Sequence, residues 1–191
     1  MKISQNLEAF LTQSIETKQK IISDQKIKDS IVELALTALE TLQNGNKIIF
    51  CGNGGSFADA QHLAAEFVSR FMIDRGPLPA LALGTNASNL SAIANDYGYE
   101  YVFARELRVI AQAGDLFIPI STSGKSHNVL EAVKVACEKG LKCFALSGGS
   151  ESPLAKQTHC IRVPSNITAH IQESHITIGH FVCKFVEEQY F

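Results

Sequence analysis

Four short apolar runs, "KIIFC" (47–51), "PALAL" (79–83), "LFIPI" (116–120) and "KCFAL" (142–146), are separated by longer segments with helical spacing of their apolar residues. Strand-length runs alternating with helices indicate βαβ units wound into a parallel sheet, which puts the chain in the α/β class. A weaker fifth strand is "CIRVP" at 160–164, stopped by Pro164. The helices between them carry recognisable end signals. Ser56 followed by Asp59 resembles a capping box, Ser126 is placed to cap the next helix, and Gly140 ends that helix after Lys139.

Before the first strand, Leu7, Phe10, Leu11 and Ile15, then Ile31, Leu34, Ala38 and Leu42, fall at helical spacing. They predict an N-terminal helical pair within 1–45, closed by Gly45. An α/β core follows over 46–191, ending in a long helix from about Thr168. With 191 residues, 46% of them hydrophobic, the chain is expected to form a single domain. A net charge of −2 gives no basic field for nucleic acid, and no apolar stretch reaches the ~20 residues of a membrane helix. Five scattered cysteines without a CxxC pair, and an N-terminus lacking the pattern of a secretory leader, predict a cytoplasmic protein.

The chemistry concentrates at the strand ends. "CGNGGSFADAQH" (51–62) runs from strand through a glycine turn into a helix, where free backbone N–H groups and the helix dipole favour an anion. The dinucleotide fingerprint fails because Phe57 stands at its third glycine. Walker A fails at "GKS" (124–126) because Pro119 stands where it needs glycine. "STSGKS" (121–126) is a second turn of the same kind, rich in hydroxyls. Two such turns at C-terminal strand ends converge on the crevice of an open sheet, which points to a phosphorylated ligand.

Along the first of these helices, Phe57, Ala60, Ala64, Phe67 and Phe71 form the core face, and Asp59, His62, Glu66 and Ser69 the other. His62 and Glu66, four apart, suit two metal ligands or a histidine–carboxylate acid–base pair, or an ordinary contact on a solvated face. The last helix carries "HIQESHITIGH". His175 lies near its apolar stripe and reads as a core histidine. His180 points away from the stripe alongside Glu173 and Glu187, with Gln172 on the flank. His127 and His170 read as surface residues, and Asn95 and Asp96 as polar loop residues.

Taken together, "CGNGGSFADAQHLAAEF", "AIANDYG", "STSGKSHNV" and "RVPSNITAHIQESHITIGHFV" resemble the sugar isomerase (SIS) family over nearly the whole chain, in particular its isomerases of sedoheptulose 7-phosphate. The resemblance implies a three-layer αβα sandwich with a five-stranded parallel sheet. It also implies a homotetramer with active sites at subunit interfaces, and bacterial heptose precursors as the product. It assigns Asn53, Gly54, Gly55 and Ser56 to the first substrate loop, Asn95 and Asp96 to the second, and Ser121, Thr122, Ser123 and Ser126 to the phosphate. His62, Glu66, Gln172 and His180 match zinc-binding positions, one Zn2+ per subunit, with Glu66 and His180 also the acid–base pair and Glu66 and Gln172 also touching substrate. Gln172 and His180 lie about 80° apart around an ideal helix, so they do not share a narrow face. Glu173 aligns with His180 better, and Gln172 is kept on the resemblance alone.

Aldose–ketose isomerisation needs a base at carbon, an acid near the two oxygens and stabilisation of enediolate charge. Glu66 and His180 fit the first two roles. Two other readings stay open: a non-catalytic SIS scaffold like the DnaA initiator-associating protein, and an isomerase of another sugar phosphate. The resemblance implies that the scaffold lacks the residues matching Glu66 and His180, both of which are present here, and this favours the isomerase.

Overall fold

The computed structural model describes residues 2–191. Two helices lead, α1 (Lys2–Ser23) and α2 (Gln25–Gln43). They are joined at Asp24, whose carboxylate accepts the N–H groups of Lys26 (2.9 Å) and Ile27 (3.2 Å) and so caps α2. There follow β1 (Ile48–Gly52), α3 (Gly55–Val68), β2 (Ala80–Ala82), α4 (Ala87–Tyr97), a 3-10 turn (Tyr99–Tyr101) and α5 (Val102–Ile110). The second half holds β3 (Leu116–Ser121), α6 (His127–Glu138), β4 (Lys142–Gly148), α7 (Pro153–Gln157), β5 (His159–Val163) and α8 (Thr168–Tyr190). All five expected strands are present within one or two residues of their sequence bounds.

The strands form one parallel sheet in the order β2-β1-β3-β4-β5. Side chains alternate between its faces. Ile48, Phe50, Leu116, Ile118, Ile120 and Leu146 pack under α2, α3 and α8, while Ile49, Cys51, Phe117 and Ala145 pack under α5 and α6. The result is the expected αβα sandwich. Because β2 lies on one side of β1 and β3 on the other, the direction of winding reverses between β1 and β3. At such a point the connecting loops splay apart and leave a crevice at the C-terminal strand ends.

On the first face α3 and α8 run side by side in the same direction. A Cβ on Gly55 would meet the Gln172 amide, one on Gly179 would come within 2.4 Å of Leu63, and Glu187 binds the backbone that follows α3. Gly179 thus lets the two helices approach more closely than any side chain would allow.

Three local expectations are corrected. Helix α3 starts at Gly55, with Gly54 at the N-cap in the left-handed region (φ 55°), so Ser56 lies inside the first turn and no side chain caps it. Ser126 does occupy the N-cap of α6, but its hydroxyl faces Ser121 and makes no capping bond. Asn95 and Asp96 are not in a loop but in the last turn of α4. Asn86 starts that helix by accepting the N–H groups of Ser88 and Asn89, and Gly98 (φ 98°) ends it.

Candidate active site

The two glycine- and serine-rich turns leave neighbouring strands, with Gly52 of β1 beside Ile120 of β3. In the second turn Ser121 is buried, and its Oγ lies 3.1 Å from Ser126 Oγ and accepts the Gly124 N–H at 3.1 Å. Ser123 Oγ accepts the Lys125 N–H at 3.2 Å. These bonds wrap the backbone into a tight loop beside a cavity of about 280 Å³ lined by Thr122, Ser123, Lys125, Gly148, Ser165 and Thr168. Hydroxyls, loop N–H groups and one lysine suit an anion. Lys125, Ser165 and Thr168 were not singled out in the sequence; the "GKS" tripeptide, set aside once Walker A failed, carried the signal for the lysine.

About two turns into α3, three side chains converge. His62 Nε2 lies 2.9 Å from Glu66 Oε1 and 3.0 Å from His180 Nε2. One such atom of each residue lies within 4.8 Å of the other two. The His62 and Glu66 side chains are 51% and 22% exposed, so the cluster opens to solvent. A single Nε2 carries at most one hydrogen, yet here it faces a carboxylate oxygen and a second imidazole nitrogen. Lone pairs outnumber protons, and two nitrogens with one oxygen form a donor set that a divalent metal ion fits. Burial, then the neighbouring His62, lowers the His180 pKa, with Glu66 opposing, which keeps the imidazole neutral and able to accept a proton or ligate. One turn earlier, burial pushes the Asp59 carboxyl up, against the opposing pull of His62, and Asp59 Oδ2 is buried without a hydrogen-bond partner.

Below this cluster the same two helices are tied by an ion pair. Glu187, 2% exposed, accepts the N–H groups of Phe71 (3.0 Å), Met72 (2.7 Å) and Ile73 (3.2 Å) and the Nε of Arg75 (3.0 Å). Arg75 donates in turn to the carbonyls of Glu66, Phe67, Ser69 and Gly76. Glu187 therefore does not accompany His180 on a polar face. Glu173 also turns elsewhere, to Lys18 (3.3 Å) and His170 (3.2 Å). His170 is fully buried, its ring against Phe10, rather than at the surface. His175 is in the core as expected, with Nε2 3.1 Å from the Ser147 carbonyl oxygen. His127 is exposed at the start of α6.

Of the residues matched by resemblance, the structure brings His62, Glu66 and His180 together. It places Gln172 against Gly55 at the start of both helices, about 12 Å of helix rise before His180. Asn53 lies at the end of β1, joined to Asn128 and Tyr99. Asn95 and Asp96 are exposed and bonded to one another (2.7 Å).

Residues 9–148 match the SIS domain, and the chain belongs to that family. A phosphoheptose isomerase of Aneurinibacillus thermoaerophilus is 49% identical over 97% of this chain and 94% of its own. Phosphoheptose isomerase 2 of Campylobacter jejuni is 44% identical over 98% and 96%. Among solved structures, a phosphoheptose isomerase from Francisella tularensis superposes with a TM-score of 0.93 at 32% identity, covering 99% of this chain and all of that one. One from Neisseria gonorrhoeae does so with 0.89 at 39% identity, covering 97% and 99%.

Proposed function

We propose that this protein is an aldose–ketose isomerase that converts sedoheptulose 7-phosphate to D-glycero-D-manno-heptose 7-phosphate for bacterial surface-polysaccharide precursors. The observation that carries the reading is the convergence of His62, Glu66 and His180 into one open cluster, in a chain that also carries the hydroxyl-rich turn and is close to half identical to phosphoheptose isomerases. The phosphate is held by Ser121, Thr122, Ser123 and Ser126. Asn53, Gly54, Gly55, Ser56, Asn95, Asp96 and Gln172 orient the polyol. Holding the remote phosphate fixes the reacting carbons and lowers the entropic part of the barrier.

Glu66 takes the proton from the carbon next to the carbonyl and returns it to the neighbouring carbon. His180, neutral before reaction, passes a proton between the two oxygens. His62, Glu66 and His180 would hold Zn2+; the family resemblance assigns Gln172 as a fourth ligand, whereas here its amide stands against Gly55, away from the three. Bound there, the ion supplies Lewis-acid polarisation of the substrate oxygens.

The protein works as a cytoplasmic homotetramer, in which partner subunits border each cleft and the whole chain acts as one domain. Supporting this is the row Ile3, Leu7, Phe10, Leu11 and Ile15 on α1, 47–86% exposed, an apolar face that a partner subunit would cover. No helix among the described residues is long and apolar enough to cross a membrane. The test is a panel of phosphorylated ketoses with and without a chelator. Turnover of sedoheptulose 7-phosphate, lost on chelation and restored by Zn2+, is expected. Turnover of only hexose or pentose phosphates would replace the substrate, and indifference to chelation would remove the metal.

A further inference from the structure

Asn53 is tied into a small network that fixes which face of its amide a ligand meets. Ser126 is the N-cap of α6, and its hydroxyl turns away to Ser121, so the Val129 N–H in the first turn lacks both an intrahelical acceptor and a cap. Asn128, 3% exposed, fills the vacancy, and its Oδ1 accepts the Val129 N–H at 3.0 Å. That bond decides the orientation of everything beyond it, because a backbone N–H can only donate. With Oδ1 of Asn128 fixed, the Asn53 Nδ2 donates to it at 2.9 Å, and the Asn128 Nδ2 donates back to Asn53 Oδ1 at 2.9 Å. The Tyr99 hydroxyl donates to the same Asn53 Oδ1 at 3.0 Å.

A primary amide has two N–H donors and two lone pairs on its oxygen. On Asn53 both lone pairs and one N–H are taken, which leaves a single N–H. Asn53, Ser126, Asn128, Tyr99 and Tyr101 border a cleft of about 720 Å³. We infer that Asn128 and Tyr99 are positioning residues, which lock the Asn53 amide so that it offers the ligand one N–H donor and no acceptor. The inference rests on the proposed isomerase reading. It specifies that Asn53 contacts an oxygen lone pair of the phosphorylated sugar and never accepts from its hydroxyls. The network also joins the turn after β1 to the first turn of α6, so the two halves of the cleft are set in one register.

Asn128→Asp tests it with little change of shape. The carboxylate still accepts from Val129 and Asn53 but puts an acceptor against Asn53 Oδ1, which forces the Asn53 amide out of its orientation. Expected is a roughly 10-fold fall in kcat/KM for sedoheptulose 7-phosphate, mainly through KM, and a fall of a few fold for Tyr99→Phe. In an Asn53→Ala background Asn128→Asp is expected to cost nothing further, whereas effects that multiply would overturn the inference. A second readout needs no substrate. In the free protein, one of the two Asn53 side-chain amide protons should exchange slowly by NMR, and that protection should vanish in Asn128→Ala, which removes the acceptor. Exchange of both protons at the rate of an exposed asparagine would overturn the inference. Absence of turnover in the unaltered protein would instead remove the isomerase reading and leave the NMR result to decide this one.

Discussion

Helix α8 meets α3 and the segment that follows it at two places, through His180 beside His62 and Glu66 and through Glu187 beside Arg75, and the two are opposite in character. At the lower bridge Glu187 and Arg75 are each 2% exposed, and Glu187 receives three backbone N–H groups besides the guanidinium. Burial alone would push the Glu187 carboxyl up, but those donors outweigh it and hold its pKa below the ordinary value. At the upper bridge Glu66 meets His62, which also faces a second imidazole, and the group stays open to solvent. A saturated, buried pair has no spare lone pair or proton with which to do chemistry, so it holds helices together. An unsaturated, accessible one is free to bind an ion and to exchange protons. Residue type does not distinguish the two bridges; donor count and burial do.

The contrast can be broken most forcefully at the lower bridge. Arg75→Ala or Glu187→Ala strands a charge in the interior and should cost about 3–5 kcal/mol of stability by denaturant unfolding. The same helix supplies an acid-sensitive control in His175, whose burial, only partly opposed by its bond to Ser147, lowers its pKa to about 4. The unfolded chain takes up that proton below the ordinary value of 6.5 and the folded one does not. Stability should therefore fall as pH drops from 6.5 to about 4, by on the order of 3 kcal/mol, and His175→Gln should remove that slope. Glu187 acts in a lower window. Its depressed pKa contributes stability that is present above 4.5 and lost as pH falls through the folded value. At the upper bridge, Zn2+ at ~100 times its dissociation constant should stabilise the protein by about 2.7 kcal/mol in a thermal-shift titration, an effect absent in His62→Ala. The smallest effect is expected for Glu66→Gln, which should change stability by no more than ~0.5 kcal/mol because the site is accessible to water.

Strand positions and the order of helices were legible because apolar runs and helix-ending glycines such as Gly45 and Gly140 are local signals. So was the pairing of His62 with Glu66, which needs only the helical repeat. The approach of His180 came from the resemblance and not from spacing, because it depends on α3 and α8 running parallel at the close distance that Gly179 permits. Angular position on an ideal helix misjudged Glu173 and Glu187 for the same reason. Each has partners on other segments, Lys18 on α1 and Arg75 after α3, that no periodicity reports. His170 looked like a surface residue, but α1 folds back over it and places Phe10 on its ring. Asn128 escaped notice because its importance comes from Ser126 failing to cap, a side-chain choice invisible in sequence.

The central claim is that the upper bridge carries the chemistry and the lower one does not. Single-turnover conversion of sedoheptulose 7-phosphate by the unaltered protein and by Glu66→Gln, with unfolding temperatures recorded on the same samples, tests it most directly. The prediction is a loss of roughly 10²–10⁴-fold in rate with an almost unchanged unfolding temperature. Conversion by Glu66→Gln at the rate of the unaltered protein would contradict it.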